Sequence, residues 1–274
     1  MARTVDQAAH AGRRAQFLDA AQYLLRTKGY ERMSVHDVWS AVGASKGAFY
    51  HYFDSKQALV EAVMERMADQ IAAALAPVAA DPHAPAPKKL QAFFTGLGRW
   101  KDQRRDLLVA LLEVWQSDDN AVVRQKLRPG IADRLAPLLA AILEQGVREA
   151  VLTVTHPQAT GRMLIALLQD LNDRLAEMIL SFDATGQPDL PAALDTVAAH
   201  TRALERILGL PEQSILLVEP AVLRPWFTTD DSITDSTGSG SPPTTRAGNA
   251  SSASTTPSRC SASQPSSPCS SPPG

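Results

Sequence analysis

Side chains able to carry covalent or metal chemistry are scattered through this sequence, and their spacing points away from catalysis. The histidines at 10, 36, 51, 83, 156 and 200 show no ligand spacing for a metal ion. No G-x-S-x-G elbow and no phosphate loop occurs. Asp118 with Asp119, and Asp170 with Asp173, read as solvated carboxylates or partners of Arg174 rather than as a catalytic dyad. Cys260 and Cys269 both lie in a polar tail, so no core thiol and no secreted-type disulfide framework is expected. The expectation is a protein without catalytic residues, metal or cofactor.

Residues 34–56, S-V-H-D-V-W-S-A-V-G-A-S-K-G-A-F-Y-H-Y-F-D-S-K, converge on a different chemistry. Ser34 can cap a helix, because its hydroxyl can accept an orphan first-turn N–H. Val35, Val38 and Val42 follow at helical spacing. Gly43 ends that helix, since glycine enters the left-handed region without a Cβ penalty. Ser45 can cap a second, short helix. Its aromatic run cannot all face one way, because neighbouring helical residues differ by about 100°. Phe49 and Phe53 form the inward pair, which leaves Lys46, Tyr50 and His51 outward. A short helix projecting from such a turn fits the major groove of DNA. Gly47 permits close backbone approach. Lys56 opens the next helix, where its charge and the N-terminal amides both favour a phosphate. Ser34 and Ser45 can serve as caps and as phosphate donors.

The elements that must position this stretch are helical throughout. Alanine and leucine are abundant and aromatics few, which favours helices over sheets. An apolar fraction of 45% over 274 residues supports a sizeable core. The formal net charge is −2, so any DNA contact must come from a local patch. No apolar run approaches the roughly 20 residues of a membrane span, and no signal core follows Arg13 and Arg14. A cytoplasmic protein is expected.

In chain order, residues 1–11 predict a flexible arm and a first helix starts near Gly12. Phe17, Ala20, Ala21, Leu24 and Leu25 share one face of it, and Gly29 stops it. After the two-helix motif, Ser55 caps a helix through about Ala74, with Leu59, Val63, Met67 and Ile71 every four residues. Pro77, Pro82, Pro85 and Pro87 predict a linker or loop. Helices are expected again over 88–103, 105–117, 120–149, 157–182 and 190–208, with a break or kink at Pro129 and Pro137. The segment 157–182 is apolar around most of its early circumference, and a partner subunit is the simplest second cover for it. Residues 214–227 predict an apolar strap, and residues 228–274 a disordered Ser/Thr/Pro-rich tail.

Residues 43–59, G-A-S-K-G-A-F-Y-H-Y-F-D-S-K-Q-A-L, closely resemble the DNA-binding domain of the TetR/AcrR family of transcriptional regulators. The likeness extends back through A-A-Q-Y-L-L-R-T-K-G-Y-E-R-M-S-V-H-D-V and covers roughly residues 12–66. Trp39 departs from it, standing where the family usually carries a smaller residue. The resemblance implies an all-α protein. Residues 12–74 would form an N-terminal three-helix helix-turn-helix domain, and residues 88–227 a C-terminal helical domain for dimerisation and ligand binding. It implies double-stranded DNA with a palindromic operator, a homodimer and a small effector as partners, and a ligand-responsive repressor as function. Few charges in the central helices suggest a mostly apolar effector, with Trp100, Leu111, Trp115, Met163 and Gln169 as candidate lining. The alternative is a helical interaction protein with a degenerate helix-turn-helix that lacks specific DNA binding. Lys46, Tyr50 and Lys56 argue against it.

Overall fold

A computed structural model describes residues 2–116, 121–185 and 189–227. The side chains of residues 2–6, 113, 115–126 and 182–188 are not among those described. Asp118, Asp119, Cys260, Cys269 and the whole tail over 228–274 lie outside the described residues, as does the side chain of Trp115.

Every regular element among the described residues is helical. They run α1 (Ala2–Lys28), α2 (Val35–Val42), α3 (Lys46–Tyr50), α4 (Lys56–Ala80), α5 (Ala86–Asp102), α6 (Arg105–Gln116), α7 (Ala121–Arg148), α8 (Pro157–Thr185), α9 (Leu190–Leu208) and α10 (Pro220–Leu223), with a closing 3-10 turn over Arg224–Phe227. Two apolar cores organise them. The first joins α1–α4 through Phe17, Leu25, Val38, Phe49, Leu59 and Val63, and takes in Leu107, Leu111 and Val114 of α6. The second joins α4, α5, α7, α8 and α9 through residues such as Leu75, Phe93, Leu139, Leu164 and Leu204.

Two expectations fail at the N-terminal half, and both fail toward more helix. Residues 2–11 continue α1 instead of forming a flexible arm. Their sequence lacks proline and is rich in alanine, so nothing in it opposes propagation. Likewise α4 runs through Pro77 to Ala80. The expected break at Pro129 and Pro137 is also absent, since α7 passes through both. These rings are exposed. A proline on the solvent side loses one ladder hydrogen bond where the helix is already free to bend outward. The opposite face of α7 meanwhile buries Leu135, Leu139, Ile142 and Leu143. At its crossing with α8 a side chain at Gly161 would meet the Ala136 carbonyl at 2.8 Å, so the two backbones approach closely there.

The proline-rich connection between α4 and α5 is a tied loop. Lys89, only 4% exposed, donates to the Ala79 carbonyl at 3.0 Å and to Gln145 Oε1 at 2.7 Å. Gln145 donates to the Ala84 carbonyl at 2.9 Å and to Glu149 Oε1 at 2.6 Å, and the Ala86 amide donates to Glu149 Oε2 at 2.9 Å. These donors hold the Glu149 carboxyl below the usual carboxylate range, with the Gln145 amide contributing most.

The C-terminal strap packs as its composition suggests. Glu205, 1% exposed, accepts from the backbone amides of Ser214 and Ile215 at 2.8 and 3.2 Å. The Gln91 side chain pairs with both backbone groups of Leu216, donating at 3.0 Å and accepting at 2.9 Å. Ile215, Leu217, Leu223 and Phe227 are buried against the second core, and Arg105 donates to the Pro225 carbonyl at 2.8 Å. Phe227→Ala should therefore destabilise the protein by about 3–5 kcal/mol, the ordinary cost of emptying a phenylalanine site. Trp226→Ala, at a half-buried site, should cost less. Urea unfolding of the two variants beside the parent checks both the loss and the order.

Candidate nucleic-acid interface

The helix pair α2–α3 is held by four local devices. Ser34 and Asp37 form a reciprocal capping box: Asp37 N donates to Ser34 Oγ at 3.1 Å, and Ser34 N donates to Asp37 Oδ2 at 2.9 Å. Lys28, at the end of α1, donates to Asp37 Oδ1 at 2.8 Å and so ties α1 to the start of α2. The Lys28 hydrogen bond and the Ser34 donors hold the Asp37 carboxyl well below the usual range. Gly43 ends α2 with φ 66, and Ala44 N reaches back to the Trp39 carbonyl at 2.8 Å. Ser45 then caps α3 by accepting from Ala48 N at 3.2 Å.

Aromatic packing sets the rotation of α3. Phe49 is fully buried, edge-on to Phe17 at 5.7 Å between ring centroids, and Phe53 closes the cluster at 5.7 Å from Phe49. With that face committed, Lys46, Gly47, Tyr50 and His51 are exposed, Tyr50 by 45%. Lys46 Nζ lies 5.9 Å from the Tyr50 ring centre, and Ser34 and Ser45 flank the same region as exposed caps. Lys56 opens α4 with Nζ 3.9 Å over the Tyr30 ring, which leaves it half-buried rather than fully extended into solvent. Trp39 is half-buried against the first core, with His36 against its edge at 5.2 Å.

His10 is a neighbour that the sequence pattern concealed. Its ring lies 5.6 Å from His51 and 4.5 Å from Tyr52, so the extended start of α1 reaches the end of α3. Reading residues 1–11 as an arm hid that contact. Helix propensity across this stretch is the signal that could have revealed it.

The central helices line an open apolar pocket of about 230 Å³. Trp100 and Leu111 line it, beside Met64, Met67, Ala68 and Ile71 of α4. Met163 does not: it is 57% exposed on the outer side of α8, opposite the buried Leu164, Ile165 and Leu168. Gln169 is not among the lining residues either, and its amide donates to the Arg128 carbonyl at 3.0 Å. Both were misplaced because hydrophobicity alone does not say which side of a mostly apolar helix faces inward. The helical pairs Leu97–Trp100 on α5 and Leu108–Leu112 on α6, three and four residues apart, face α4 and mark the true walls.

Two family models match this chain. Residues 17–63 match the model described as bacterial regulatory proteins of the tetR family, and residues 111–180 match a tetracyclin repressor-like C-terminal domain. Both segments are thus similar to the TetR family. That family is one of transcriptional regulators and not of enzymes. Among curated relatives, the transcriptional repressor KstR2 of Rhodococcus jostii is 33% identical over 66 residues, 24% of this chain and 32% of that protein. The regulator EthR of Mycolicibacterium smegmatis is 33% identical over 90 residues, 31% of this chain and 42% of that one. The matched segments thus span about a third to two-fifths of those relatives' length. The repressor DhaR of a Mycobacterium species is 24% identical over 61% of this chain and 77% of its own.

Solved structures share the fold of this chain. A protein assigned to the family from Mesorhizobium loti superposes with a TM-score of 0.52 at 16% identity, covering 72% of this chain and 96% of that one. The regulator FadR of Bacillus subtilis, solved with stearoyl-CoA, superposes with a TM-score of 0.50 at 19% identity over 71% and 97%.

The capping box makes a pH-dependent contribution with a definite sign. The folded-state pKa of Asp37 is depressed below its ordinary value of 3.8. Its stabilisation is fully present above that value and is lost as the carboxylate protonates below it. Asp37→Ala should melt below the parent at neutral pH, and the gap should narrow as pH falls from about 4 toward 2. Thermal melts of both proteins across that range read the effect. A gap that stays constant would remove the carboxylate from this role.

Proposed function

We propose that this chain is a ligand-responsive transcriptional repressor that binds a palindromic operator as a homodimer. The observation that carries the reading is the division of α3: Phe49 and Phe53 are buried, while Lys46, Gly47, Tyr50 and His51 stand exposed on a capped helix after a tight turn. Such a face suits phosphates and base edges, with Ser34, Ser45 and Lys56 at its margins. Two copies would set their reading helices about 34–36 Å apart, one helical turn of DNA. The repressors among the curated relatives support the same reading.

Dimerisation is assigned to the outer face of α8 and α9, where Met163 and Ile207 are exposed apolar groups. Leu175 and Met178 of α8 are half-buried at the edge of the second core. The effector is assigned to the apolar cavity with Trp100 and Leu111 in its wall. Its coupling to DNA runs through α4, which supplies cavity residues from Met64 onward and begins at Lys56 beside the reading helix. A conformer of α4 selected by the effector would alter half-site spacing, and by linkage DNA must weaken effector affinity by the same factor.

Tyr50→Ala should weaken operator binding about fivefold to tenfold while the melting temperature holds, as expected for one lost phosphate contact. Lys56→Ala should lower the salt slope of binding by about one. Gel shifts across a salt series with genomic fragments test both, and unchanged affinity and slope in the two variants would reject the interface. Met163→Arg should shift the protein from dimer toward monomer in sedimentation, because it sets a charge in an apolar contact. A wild-type monomer at micromolar concentration would end the dimer assignment.

A further inference from the structure

A second cavity, of about 160 Å³, lies under the C-terminal strap, with Leu217, Leu223 and Trp226 in its wall. It shares Leu97, Leu108, Leu112, Asn172 and Ala176 with the cavity beneath α4. The two are lobes of one site, divided by those side chains. Nearly all of the lining is apolar, and Lys101 is the charged residue in it.

Lys101 is the unusual member of this wall. Its Nζ donates to Asn172 Oδ1 at 2.6 Å, and among the described residues no carboxylate forms an ion pair with it. Burial pushes its ammonium down to about 8. Lys101 is half-buried in an apolar wall, and its partner there is a neutral acceptor, so its ammonium stands without a countercharge beside it. Asn172 stands at the division between lobes and is exposed on one side, so a charged group at this point keeps some contact with water.

We infer that the effector is an acidic amphiphile, whose anionic group pairs with Lys101 beside Asn172 and whose apolar body fills the lobe beneath α4. This rests on the reading of the cavity as the effector site and adds the chemical class of its ligand. The carboxylate supplies the missing countercharge, and the apolar body meets Met64, Met67, Ala68 and Ile71 on the helix that leads to the DNA-binding face. Recognition therefore has two separable parts, one ionic and one apolar.

Decanoate and decanol separate these parts, since they share a chain and differ in head group. Calorimetric titration of the full chain should show decanoate binding at least about tenfold more tightly than decanol, the scale of one charge-assisted hydrogen bond. Lys101→Met and Lys101→Gln should each lose that preference while binding decanol as the parent does. Retained decanol binding also shows that the variants are folded. Equal affinities in the parent, or an undiminished preference in both variants, would overturn the acidic class and leave an apolar effector standing. If neither probe binds the parent, the cavity assignment fails together with this one.

Discussion

Burial along α4 ties the described chain together. Leu59, Val60 and Val63 lie in the core that seats the reading helix, and two to three turns later Ile71 and Leu75 lie in the core of the larger helical bundle. One helix thus has to satisfy two sets of partners whose packing is fixed independently. Neither end can shift without disturbing buried side chains at the other, because cores are close-packed and resist continuous deformation. The Arg66 contacts to Asp19 and Gln22 fasten the middle of this helix to α1. The tied loop around Lys89 fixes its far end to α7. Pro77 sits in that last stretch without ending the helix, because neighbouring contacts hold it.

At the other end, short-range chemistry does the positioning. A chain with a net charge of −2 has no broad field to orient it on a polyanion. Orientation must come from placement, and the caps at Ser34, Ser45 and Ser55 set where each helix begins. The buried phenylalanines then decide which way α3 is turned. Lys28 and Asp37 join these local choices to α1, so the turn between α2 and α3 is not left to loop conformation alone.

Much of this was legible in the sequence, for identifiable reasons. Serine caps, Gly43 and the four-residue spacing of Phe49 and Phe53 are local signals, and the all-α class and the starts of α2, α3 and α4 follow from them. The helices α5–α9 fall within a few residues of their periodic segments because their apolar stripes are regular. Proline misled at Pro77, Pro129 and Pro137, since its local cost is a property of the residue while its compensation is tertiary. The start of α1 was missed for the opposite reason: a polar alanine-rich stretch has no stripe to announce burial. The cavity was half legible. Trp100 and Leu111 were visible as large apolar groups, but Met163 is equally apolar and faces outward. Choosing between them needs the helix's rotation, which only its neighbours determine.

Leu111 has a consequence for how this protein can change over generations. It is buried in the core of the N-terminal helices and also forms cavity wall, so it is a shared part. Substitutions there would change the shape of the cavity and the packing of the N-terminal core together. Leu127, Ile131 and Leu135 on α7 line the same cavity and stand outside that core. Leu135 is itself buried in the second core and Ile131 packs against it, so a change on the α7 side is absorbed by the larger bundle rather than by the N-terminal helices.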